Sequence, residues 1–148
     1  MAVSTAYLAA ESLINLSHEK ANPISNLKLQ KLLYYAQAWH LVLLDDALFD
    51  DEIEAWVHGP VVPCVFRKFR DARWSILPKT ESPVIERAHL EEVWRVYGKF
   101  EAWRLERLSH SESPWRDARD GLPLDVPSHN IISKKSMKTY YSSLLNGR

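Results

Sequence analysis

The stretch ISNLKLQKLLYYAQAWHLVLL, residues 24–44, decides the fold. Ser25 has the position and chemistry of a helix N-cap, and Ile24 and Leu29 stand where a hydrophobic staple places them. The spacing therefore predicts a helix from near Asn26 to about Leu44. At about 100° per residue, Leu29, Leu32, Leu33, Ala36, His40 and Leu43 share one face, while Leu27, Tyr34, Ala38 and Leu41 lie nearly opposite. A helix apolar on two faces is either central to its fold or covered by a partner.

Working outward, Val3, Ala6, Tyr7, Ala10, Leu13 and Ile14 recur at helical spacing, which predicts a helix over 3–18 closed by Asn22-Pro23. Six acids lie between Asp45 and Glu54. Ile53, Ala55 and Val57 then alternate with Glu54 and Trp56, the pattern of a short strand or half a hairpin. Gly59-Pro60 is read as a strand-to-helix turn, with a helix opening at Pro60 or Val61. Val62, Phe66 and Phe69 form its apolar stripe, and Arg67, Lys68, Arg70 and Arg73 fill its remaining surface. Residues 74–83 are expected to be an irregular or strand-like connection bounded by Pro78 and Pro83. Further helices are expected from Ile85 to Gly98, around Phe100–Leu108, and from the N-cap Ser133 to about Leu145, with a short turn at Pro114-Trp115. The fold class expected is mainly α-helical (α+β): a single domain over 1–148, about six helices with a small antiparallel sheet or hairpin.

Composition excludes more than it assigns. In 148 residues, 46% are apolar and 26% charged, with four glycines, which excludes disordered and collagen-like classes. A chain of this mass is expected to expose roughly 7,800 Å² when folded. Nineteen bases balance nineteen acids, so net charge favours neither nucleic acid nor a membrane surface. One cysteine, Cys64, rules out an internal disulfide. The segment Met1–Leu16 does not read as a signal peptide, and no run reaches a membrane span. Cytoplasmic residence is the expectation.

Catalytic and metal-binding patterns are sparse. The six histidines show no His-Glu-x-x-His and no i, i+4 pair. His40 falls on the core face of the long helix and reads as structural. His58, beside Gly59-Pro60, either anchors a turn or belongs to a site. Cys64 and His58 raise a Cys–His nucleophile pair, yet Cys64 sits between Pro63 and Val65 and reads as a small buried hydrophobe. The acidic run lacks the glycine-centred loop of an EF-hand and reads as a solvated turn. Four scattered glycines leave no phosphate-binding loop. Arg67, Lys68, Arg70 and Arg73, with Trp74 beside them, form the one candidate nucleic-acid patch.

Residues 27–37, LKLQKLLYYAQ, taken with 55–63, AWVHGPVVP, resemble the Panacea domain, the SocA-like or phage-associated antitoxin family. Leu105, Leu108-Ser109-His110, Pro114-Trp115 and Ile131-Ile132-Ser133 continue the likeness. The resemblance implies a binding function without a cofactor. Panacea proteins are antitoxins of two-gene systems, often carried by prophages, that neutralise unrelated toxins by direct contact. Alarmone-synthetase-like enzymes are among those toxins, and one member delivers a replication-clamp-binding toxin to the ClpXP protease. Many relatives carry an added DNA-binding region, which this sequence does not show. Rival readings are a nucleic-acid-binding prophage regulator and a Cys/His hydrolase.

Within the motifs, Leu29, Gln30, Leu32, Leu33, Trp56, Gly59, Pro60 and Trp115 read as scaffold. Trp56 and Leu33 are expected to face inward, and Gln30 and Gln37 either satisfy backbone groups or line a groove. Two surfaces qualify for a partner. The favoured one joins the Tyr34 face of the long helix to the Gly59-Pro60 turn and His58. The other is the basic stripe Arg67, Arg70 and Arg73 with Trp74, suited to an acidic surface.

Overall fold

The computed structural model describes residues 2–147. Its accessible surface is 7869 Å², close to the area expected for a folded chain of this mass. Helix α1 (Ala6–Glu19) starts where the Thr5 hydroxyl accepts the Leu8 N–H. Helix α2 (Asn26–Leu43) starts where the Ser25 hydroxyl accepts the Lys28 N–H at 3.3 Å, so the cap expected from sequence is formed. Leu29, Leu32, Leu33, Tyr34, Tyr35, Ala36 and Ala38 are fully buried along α2, on every side of the helix. Helices α1, α4 (Arg87–Tyr97), α5 (Ala102–His110) and α7 (Lys134–Asn146) all pack on it. The two-faced apolar pattern thus marks a central helix.

Strands β1 (Ile53–Trp56) and β2 (Gly59–Val61) form a hairpin around Val57-His58, and β3 (Ile131–Ile132) pairs with the other edge of β1. Three expectations are corrected here. Gly59-Pro60 does not break the strand: it belongs to β2, with Gly59 at φ +103° where a side chain would strain the turn. Pro60 pairs opposite Ala55, which its missing N–H permits because β2 is an edge strand. Helix α3 (Pro63–Lys68) therefore opens at Pro63 instead of Pro60 or Val61, and a 3₁₀ turn (Arg70–Ala72) follows it. Second, Ile53 and Ala55 are the inward positions of β1, so Trp56 lies on the opposite face and is only half-buried. Third, Pro114-Trp115 lies within a seven-residue helix, α6 (Ser113–Arg119), making seven α-helices among the described residues.

The buried cluster draws on α1, α2, the sheet and α7 alike, from Ala6 to Tyr141. At its centre the carboxylate of Glu112 accepts the hydroxyls of Tyr35 at 2.8 Å and Tyr141 at 2.7 Å. The hydroxyls of Tyr34 and Tyr141 lie 3.0 Å apart. No helix among the described residues is long and apolar enough to cross a membrane.

Candidate functional site

The polar members of the α2 motif are spent on backbone groups. Gln30 accepts the Val62 N–H at 2.9 Å and donates to Asn26 at 2.9 Å. Gln37 donates to the Phe49 carbonyl at 2.7 Å and accepts the Leu48 N–H at 2.8 Å. The fully buried Lys31 donates to the Pro60 carbonyl at 3.2 Å. Burial lowers its pKa to about 7, against the opposing pull of Glu106. These side chains tie the β2 strand and the 47–49 segment to α2, as a scaffold requires. Trp115 is equally fixed: its indole N–H donates to the Trp56 carbonyl at 2.9 Å, and His110 stacks on its ring at 3.9 Å. Trp56 itself donates to Glu54 and meets Phe66 edge-on at 5.2 Å.

Tyr34 overturns the favoured docking surface. Its side chain has no exposure and packs edge-on against Tyr35 and Tyr141. The face assigned to a partner is covered by α7 of the same chain, because Tyr141 and Met137 of that helix complete the core there.

His58 is exposed, with Nδ1 3.2 Å from Glu106. It lines a groove of about 850 Å³ together with Leu27, Phe66, Arg70, Arg73 and Trp74. The structure thus brings His58, Arg70 and Trp74 to one place, whereas the sequence reading divided them between two surfaces. Arg67 is exposed on the neighbouring α3 but does not line the groove. Trp74 is 85% exposed, the most open aromatic ring among the described residues. Arg73, just before it, holds φ +54° and ψ −117° at the end of the 3₁₀ turn. A non-glycine residue in that region stores strain that the surrounding structure must hold in place. Leu27, Phe66 and Asn26 were missed as site residues. Leu27 carries the one signal available, a leucine on the outer side of the first turn of α2 that no internal element covers fully.

The catalytic candidates stand apart in chemistry. Cys64 is half-buried and its thiol lies 3.4 Å from Asp51 Oδ2. Burial, and then that carboxylate, push its pKa up, away from the thiolate a nucleophile needs. Asp51 also accepts the Ala6 N–H at 3.2 Å, and Asp45 pairs with Lys138, so the acidic run is partly tied down instead of simply solvated. His40 is buried, with Nδ1 2.6 Å from the Asp46 carbonyl and its ring edge-on to His89. Among the described residues no group of three His, Cys, Asp or Glu side chains is placed to hold a metal ion.

The family model for the antitoxin SocA-like Panacea domain matches residues 29–116, from the first turn of α2 into α6. Antitoxin SocA of Caulobacter vibrioides is 33% identical over 127 residues, covering 72% of this chain and 68% of that protein. No solved structure matches. The match takes in α2 from Leu29 onward, the hairpin, the groove residues from His58 to Trp74, and Trp115, and the chain belongs to the antitoxin SocA-like, Panacea-domain family.

Proposed function

We propose that this chain is an antitoxin that neutralises a toxin encoded beside it by direct protein contact, without catalysing a reaction. The observation that carries the reading is membership of the SocA-like family across 29–116. Two features of the fold support it. The buried polar residues of the motifs bond to backbone and to each other, the bonding expected of a scaffold. The exposed surface instead offers an aromatic ring and guanidinium groups, the side chains that dominate protein interfaces.

In this reading the whole chain acts as one cytoplasmic binding unit, with His58, Arg67, Arg70 and Trp74 on the docking side. Tyr34 has no part in it except through the core. The deciding experiment is co-expression with the adjacent open reading frame. That product alone should arrest growth, and this chain should restore growth and co-purify with it. Growth arrest that this chain does not relieve defeats the proposal. Delivery to ClpXP predicts in addition that the toxin's half-life falls when the chain is present and recovers when ClpX is deleted.

A further inference from the structure

Two guanidinium groups in the groove are unspent. Among the described residues, neither Arg70 nor Arg73 forms an ion pair or a side-chain hydrogen bond. Arg87 and Arg95, by contrast, are paired with Glu19 and Glu92. Asp71 is the one carboxylate lining the groove. The groove floor is apolar, made by Leu27 and Phe66, and Trp74 stands at its rim with its ring in solvent. The N-terminal end of α2 opens onto the same space through Ser25 and Asn26, which adds positive potential.

We propose that this groove binds an acidic segment of a partner polypeptide, with one large apolar side chain of that segment seated against Leu27, Phe66 and Trp74. For the partner's identity the proposal rests on the antitoxin reading above. Charge complementarity selects the occupant: Arg70 and Arg73 face outward over an apolar floor, so carboxylates must flank the anchor. A guanidinium fork holds a carboxylate through paired N–H donors, and desolvation beside an indole strengthens the contact. Nucleic acid fits less well. Tracking a phosphate backbone needs a longer run of cations than two, and the apolar floor offers a phosphate nothing. The positive φ of Arg73 belongs to the backbone that presents Trp74 to solvent, while the free side chains of Trp74, Arg70 and Arg73 give up rotamer freedom when a partner binds.

The test uses the full chain and two fluorescein-labelled peptides of equal length that share one phenylalanine. One carries glutamates and the other lysines at the remaining charged positions. Fluorescence anisotropy should show the glutamate peptide binding at least about tenfold tighter, with affinity falling as salt rises. Arg70→Glu with Arg73→Glu should abolish that preference, and Trp74→Ala should weaken binding about tenfold with the circular dichroism spectrum unchanged. Equal affinity for the two peptides, or unaltered binding by the double variant, overturns the proposal. So does tighter binding of duplex DNA or ATP through the same arginines, which would assign the groove to phosphates. In cells the two readings separate. Rescue from the toxin by both the wild type and the double variant overturns the groove and keeps the antitoxin. Failed rescue by the wild type with peptide selectivity intact does the reverse.

Discussion

The ammonium of Lys31 lies 3.2 Å from the Pro60 carbonyl oxygen, and the side chain runs directly beneath Gly59. A Cβ at Gly59 would sit 2.7 Å from Lys31 Cε, at a φ of +103° that L-residues rarely adopt. Gly59→Ala should therefore cost about 1–3 kcal/mol through strain at that backbone position, with further loss from displacing the lysine. Urea denaturation of the variant checks this, and a midpoint equal to wild type would show that the hairpin yields freely.

Lys31 should make stability depend on pH. Its folded value of about 7 lies below the ordinary 10.5, so between these limits the unfolded chain binds more protons than the folded one. Stability must then rise with pH across that window, by at most about 5 kcal/mol. Lys31→Met lacks this contribution. The variant should compare best with wild type at or below pH 7 and fall behind as pH approaches 10. A difference in denaturation midpoint that stays flat across the window contradicts the assignment.

Burial raises the pKa of Glu112, while hydrogen bonds from Tyr141 and Tyr35 hold it down. Tyr35→Phe removes a donor to the ionised form and should cost about 1–3 kcal/mol at neutral pH. Because the bond favours the carboxylate, the cost should shrink as pH falls and Glu112 becomes protonated. Chemical denaturation of both proteins at neutral and acidic pH measures the trend.

Core and surface should separate cleanly. Leu33→Ala should cost about 2–5 kcal/mol and Tyr34→Ala a similar amount, since both side chains are fully buried. Trp74→Ala and Arg70→Glu should stay within about 0.5 kcal/mol of wild type because both groups are exposed. Thermal melts of the four variants decide it.

Cys64 should alkylate with iodoacetamide more slowly than an unstructured cysteine at neutral pH, because its thiolate is disfavoured by burial and by Asp51. Cys64→Ala should retain toxin neutralisation in full. Rapid alkylation, or loss of neutralisation in a folded Cys64→Ala protein, would revive the nucleophile.

Local signals were the legible ones. The Ser25 and Ser133 caps depend on hydroxyls within three residues of the N–H groups they accept, and both form as their spacing implies. The two-faced pattern of α2 left a central place or a partner's cover as the choices, and the packing of α1, α4, α5 and α7 on it decides for the first. Pro60 was misread because its place in a strand depends on β2 being an edge, a property of the whole sheet. Tyr34 was misread because what covers it arrives from Tyr141, 107 residues away. The groove was legible only in fragments: Arg70 and Trp74 stand close in sequence, but folding alone brings Leu27 and His58 beside them.

The seating of α7 on α2 has a consequence for synthesis. Tyr34 and Tyr35 emerge early from the ribosome, yet Glu112 and Tyr141, which satisfy their hydroxyls, are translated much later. Until then α2 keeps an uncovered greasy side, the state in which nascent chains meet chaperones and proteases. A message cut short before the α7 codons would yield a polypeptide that cannot close its core.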